Sequence, residues 1–179
     1  REWHVAQREI LAVGDQPVSR GWDMGPTHVS PACTWGQLDS CGRLLCLHEL
    51  VTWTGRGDVK SMDIPQFVEM VVLESNQLFD GCHFTDYCDP AGWTPSMTDA
   101  RSAIVIMRGM GVHPRRGPVT FVDRKRAITE RLTRSIGGAP AMIFSPTCTM
   151  MIEGMDGAYK YEEIGQTGRY KPVVEKNAW

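Results

Sequence analysis

The sequence predicts an α/β fold: a mixed sheet, made of a three-strand antiparallel meander plus parallel strands, flanked by helices. Three observations carry this. Three strand-like runs follow one another up to residue 52, separated by turn residues. At Ile64 the apolar period lengthens from that of a strand to that of a helix. Beyond it, strand and helix patterns alternate, and such crossovers bring strands together in parallel.

The segment up to residue 18 has mixed polarity and a Gly14-Asp15-Gln16-Pro17 turn, so it reads as a linker or edge extension, 1–18. Residues 19–24 form the first strand, stopped by Asp23-Met24-Gly25-Pro26. Residues 29–37 form the second. Asp39-Ser40-Cys41-Gly42 supplies a hairpin turn, and 43–52 return as a largely buried third strand. Ile64, Phe67, Val68, Val71, Ser75 and Leu78 share one helical face, with Asp63 as N-cap and Pro65 in the first turn. Asp80-Gly81 ends that helix. Residues 83–88 are a strand halted at Asp89-Pro90-Ala91-Gly92, and the crossover sets it parallel to a meander strand, most simply the first. Helices are expected over 97–110, with Gly111 at the boundary, and over 122–136, with a stripe of Ile128, Leu132 and Ile136 closed by Gly137-Gly138. A strand at 141–145, a short helix at 146–155 and a final strand at 159–164 complete the pattern.

A chain of 179 residues, 42% hydrophobic and 22% charged, suits one globular domain over 19–179. No apolar run approaches the ~18 residues of a membrane span. The start, Arg1-Glu2-Trp3-His4, has neither Met nor a signal-peptide core, and reads as the start of a fragment. Six cysteines lack any C-x-x-C pair, and Cys46 lies in an apolar run, so reduced cysteines in a cytosolic compartment are expected. Met107, Met110, Met142, Met150, Met151 and Met155 are expected in the core, as are Trp22, Trp35 and Trp53; Trp93 is the tryptophan placed to touch substrate.

Asp23 and Asp89 each stand at the carboxyl end of a predicted strand, before a Gly- or Pro-bearing breaker. Asp at such a place is commonly a turn residue. On neighbouring strands, however, the two carboxylates would meet at the sheet's carboxyl edge, where open α/β sheets place ligands. Hard oxygen donors of this kind suit Mg2+ or Mn2+. A two-metal site activates water for phosphodiester cleavage. Glu49, Asp86 and Glu153 are further strand-end or near-strand acids, so periodicity alone does not select the site.

Arg20-Gly21-Trp22-Asp23-Met24-Gly25, Gly42-Arg43-Leu44 with Glu49, and Tyr87-Cys88-Asp89-Pro90-Ala91-Gly92 occur in that order, followed by Lys160-Tyr161 and Lys176-Asn177. Together they resemble the C-terminal nuclease domain of the large terminase subunit of bacteriophages, over roughly residues 19–179. The resemblance implies a ribonuclease H-like fold and a Mg2+- or Mn2+-dependent endonuclease that cuts concatemeric double-stranded viral DNA during genome packaging. Asp23 and Asp89 would be the first two metal-binding and catalytic carboxylates. The family's third carboxylate, in a Ser-His-x-x-Asp segment, is expected beyond Trp179, so the domain is read as truncated there. Asp156 and Glu175 do not lie in that motif. The packaging ATPase domain is expected to be absent, since no G-x-x-x-x-G-K-[ST] occurs. By the same resemblance the partners would be viral DNA, the portal protein of the procapsid and the small terminase subunit, in the host cell cytoplasm.

The net charge of −2 argues against nucleic acid only as a sum. Residues 101–134 hold nine Arg or Lys and two acids, a local net of +7, which leaves −9 for the rest. Arg115 and Arg116, read as loop residues, together with Arg124, Lys125, Arg131 and Arg134 form the candidate DNA-binding set. The plainer alternative is a solvated helix face. Two other functions compete: a transposase- or resolvase-like nuclease, and a catalytically silent module that docks on a portal and guides DNA.

Overall fold

The structure, a computed structural model, describes residues 3–24, 30–52, 62–95, 101–158, 161–163 and 170–174. In chain order it contains β1 (Val18–Asp23), β2 (Ala32–Leu38), β3 (Leu44–Val51), α1 (Ile64–Leu78), β4 (Phe84–Cys88), a 3-10 turn (Pro90–Trp93), α2 (Ala103–Gly109), β5 (Arg115–Arg116), α3 (Phe121–Thr133), β6 (Ser135–Ile136), β7 (Ala139–Pro140), β8 (Met142–Phe144), α4 (Thr149–Glu153), β9 (Tyr161–Glu163) and β10 (Tyr170–Val174). Six strands form the main sheet in the order β5-β4-β1-β2-β3-β8. The meander β1–β2–β3 is antiparallel, while β4 on β1, β5 on β4 and β8 on β3 are parallel. This is the mixed α/β sheet that the alternating pattern predicts, with the crossover strand beside β1.

Strict alternation along β2, half-buried then buried, shows a strand with one fully covered face. On that face Val18, Trp22, Cys33, Trp35 and Leu47 pack beneath Phe67, Val68 and Val71 of α1 and Ile104 and Met107 of α2. Asp63 caps α1, its Oδ1 accepting from the Gln66 amide at 2.8 Å. A smaller core on the β3–β8 side joins Cys46, Met142, Phe144, Cys148 and Ile152 to Ile128 and Leu132 of α3. The first residues edge this core: Val5 bridges Phe144 in parallel, and the Gln37 side chain bonds the backbone of Val13 and Gln16. The 1–18 segment is thus tied to the sheet at Val5, Val13 and Gln16.

Several expected elements are corrected. The helix expected over 97–110 is short, Ala103–Gly109, and 96–100 lie outside the described residues. Gly111 follows its C-cap with φ +82°, a conformation suited to glycine. The helix expected to reach 136 ends at Thr133. Ser135 and Ile136 instead pair with Pro140 and Ala139 across Gly137-Gly138, both at positive φ, a hairpin reversal that outcompetes helix continuation. Arg134 is therefore a C-cap, not a helical residue. Arg115 and Arg116 form an edge strand rather than a loop, because β4 offers a free ladder edge. The helix expected over 146–155 starts later, at Thr149, and after Glu153 runs on into a π-helical turn over Gly154–Ala158. The strand at Tyr161–Glu163 is followed by a partner, Tyr170–Val174, so it is not the last. Met155 is 41% exposed, not core. Trp53 lies outside the described residues. All six cysteines are free. Among the described residues no helix is long and apolar enough to cross a membrane.

Candidate functional site

β1 ends at Asp23, and Asp89 directly follows β4. The two strands are hydrogen-bonded parallel neighbours with Trp22 opposite Cys88, and the Asp89 amide donates to the Trp22 carbonyl at 2.9 Å. The ladder therefore carries both acids off the same carboxyl edge, side by side. Trp22 and Cys88 point into the core, so the strand alternation turns Asp23 to the opposite, exposed face. The Cys88 thiol registers both charges. Burial, then Asp89, then Asp23 push it up to about 12.

Asp89 is held from two sides. Its Oδ1 accepts from the Ala91 amide at 2.8 Å, capping the 3-10 turn that Pro90 opens. Its Oδ2 accepts from Arg124 Nη1 in the first turns of α3 at 2.5 Å. The turn also sits close to β4, since a Cβ on Gly92 would fall 2.8 Å from Cys88 Sγ. On the other side, the Gly117 amide bonds the Cys88 carbonyl at 2.9 Å.

The candidate basic residues divide. Arg115 pairs with Tyr87 in register, which puts it on the face of the acid pair, and Arg124 contacts Asp89 itself. Arg116, opposite Cys88, belongs to the other face, where its Cζ lies 5.6 Å from the Trp93 ring centroid. Arg131 reaches the Gly42 carbonyl at 3.3 Å, at the far end of the sheet. Lys125 is exposed on α3 and Arg134 just after it.

Glu49 and Asp86 have other partners. Glu49 accepts from the Met150 and Met151 amides at 2.6 and 2.9 Å, satisfying the first turn of α4. Asp86 is buried against Arg20. Glu175 lies outside the described residues. The Arg20–Asp86 pair was not foreseen from the sequence, yet its signal was there: an Arg and an Asp among inward positions otherwise filled by Val18, Trp22, Phe84 and Cys88. Among the described residues no group of three or more His, Cys, Asp or Glu could hold a metal ion. Two adjacent carboxylates nevertheless match what Mg2+ asks of a protein that shares the ion with a phosphate. No protein-family model matches the chain, and no curated protein or solved structure matches it either.

Proposed function

We propose that the chain is the metal-dependent endonuclease domain of a viral DNA-packaging machine, with a ribonuclease H-like sheet, acting on double-stranded DNA. The observation that carries the reading is the emergence of Asp23 and Asp89 side by side from β1 and β4 at the carboxyl edge of the sheet. The antiparallel meander with added parallel strands is in keeping with that fold. Asp23 and Asp89 would hold Mg2+ or Mn2+, which supplies an activated water and charge neutralisation for phosphodiester hydrolysis.

The chain's own residues do the rest. Arg115, exposed beside the acids, holds a backbone phosphate on the same face. The Asp89 carboxylate is fixed by the Ala91 amide, so one oxygen keeps its direction while the other exchanges partners. Arg124 offsets the negative charge there until a cation arrives. Lys125, Arg131 and Arg134 extend the positive track along α3. The portal protein and small terminase subunit are the partners, and the host cytoplasm the place, that this reading carries with it.

The test is plasmid nicking. Supercoiled DNA should be cut with Mn2+ or Mg2+ and left intact with EDTA, and Asp23→Asn or Asp89→Asn should abolish cutting. Parental activity in both variants would sink the reading. A DNA-guiding module without catalysis is the second reading, favoured by one observation: Arg124 already neutralises Asp89. It predicts DNA binding with no Mn2+-dependent nicking.

A further inference from the structure

The contact between Arg124 and Asp89 points beyond phosphate binding. Asp89 has one oxygen committed to the Ala91 amide and the other, Oδ2, to Arg124 Nη1. Oδ1 keeps a second lone pair, but Oδ2 is the oxygen that no backbone amide fixes, and an arginine occupies it. A guanidinium stays charged at every accessible pH, so it cannot leave by losing its proton. The pair opens when water solvates both ends, and it stays open when another cation takes the arginine's place on Asp89. The geometry allows that exchange. The Arg124 side chain is 44% exposed and Asp89 25% exposed, so both ends of the pair meet water. The helix that carries Arg124 is fixed independently, through Ile128 and Leu132 in the smaller core and the Thr120 cap on Asp123. Release of the side chain therefore requires no unfolding of α3.

We propose that Arg124 is a displaceable counter-ion: it holds Asp89 while the cation is absent, and cation binding frees its guanidinium for a DNA phosphate. The proposal rests on the endonuclease reading and adds regulation to it, since cation and DNA binding become coupled through one side chain. The coupling is reciprocal, each ligand tightening the other by the same factor. A protein so built grips DNA more tightly at this edge when charged with the ion.

The experiment titrates Mn2+ into the whole chain and follows the free ion by its paramagnetic resonance signal, with no catalysis involved. Arg124→Ala should bind Mn2+ tighter by roughly three-fold, the size that competition from one half-exposed ion pair allows. Arg126→Ala removes an equal charge from the same helix, where Arg126 faces Asp123 and Glu130, and should leave Mn2+ affinity unchanged. In a second arm Ca2+ should raise the affinity of the parent chain for a DNA duplex, and Arg124→Ala should lose that increment. Unchanged or weaker Mn2+ binding by Arg124→Ala overturns the proposal, as does an equal gain in Arg126→Ala. If Mn2+ binding survives Asp89→Asn undiminished, the metal-site reading itself fails. Binding that depends on Asp89 but ignores Arg124 removes the counter-ion role alone.

Discussion

Arg20 and Asp86 face each other in register on β1 and β4 and close a bidentate ion pair, with Nε to Oδ1 at 2.7 Å and Nη2 to Oδ2 at 2.9 Å. Neither side chain is more than 9% exposed. Trp22 Nε1 donates to the same Oδ1, and Ser75 Oγ accepts from both Arg20 and Trp35. The pair thus ties together the two strands whose ends carry Asp23 and Asp89.

Removing one partner should be far worse than removing both. Asp86→Ala leaves a buried guanidinium unpaired and should cost about 3–5 kcal/mol in a urea melt. Arg20→Met combined with Asp86→Leu leaves no buried charge, only the Trp22 Nε1 donor without its acceptor, and should cost less than the single change. A single-site loss below about 1 kcal/mol, the scale of an exposed pair, would mean that the network does not hold β1 to β4.

The buried thiols set an alkaline limit to stability. Burial first, then neighbouring negative charge, pushes Cys46, Cys88 and Cys148 from an ordinary 9.0 up to about 12, and burial pushes Cys33 up as well. The folded chain keeps these protons while the unfolded chain gives them up above pH 9, so the unfolded state gains. Stability present below pH 9 should fall steadily between pH 9 and 12, read as a declining urea midpoint. Iodoacetamide should label exposed Cys41 first in the native protein. Rapid native labelling of Cys88 would contradict its burial.

The two faces of β5 make a further distinction. If Arg115 holds a phosphate beside the acids, Arg115→Ala should weaken duplex binding and reduce the log K against log salt slope by about 1. Arg116, stacked on Trp93 across the strand, should change that slope less. Equal slopes for the two variants would show that the face of the sheet does not matter to DNA.

Much of this was legible in the sequence, for a local reason. The meander, α1 and β4 are each written in short-range pattern: alternation in β2, the Ile64–Phe67–Val68–Val71 face, and the Asp63 cap. Asp23 and Asp89 were legible as strand ends, and the crossover rule made their strands neighbours. Long-range partners were not. The sequence around Arg115 carries no β signal, and its strand exists because β4 presents an unpaired edge. Ile136 keeps the spacing of the α3 stripe, but the two glycines after it turn the chain back. That Arg124 would reach Asp89, thirty-five positions away, depends on where α3 lies on the sheet, which no local pattern encodes.

The approach of Gly92 to Cys88 offers a test of how the 3-10 turn positions Asp89. A methyl group at Gly92 would sit 2.8 Å from Cys88 Sγ and 3.6 Å from Ile104 Cδ1, so either the turn or the sulfur must move. Overpacking of this kind typically costs about 1–3 kcal/mol. Gly92→Ala should therefore lower stability within that range, and moving the turn should loosen the Ala91–Asp89 cap and weaken Mn2+ binding. Gly109→Ala, with no atom within 4 Å and at the end of α2, should be neutral or slightly stabilising. The double variant Cys88→Ala with Gly92→Ala removes the sulfur that the new methyl meets. It should destabilise by less than the sum of the two single changes, the coupling expected of residues in direct contact. Strict additivity in that cycle would mean that the turn relieves the contact by itself, and Asp89 would then owe its position to the Trp22 carbonyl and Arg124 instead.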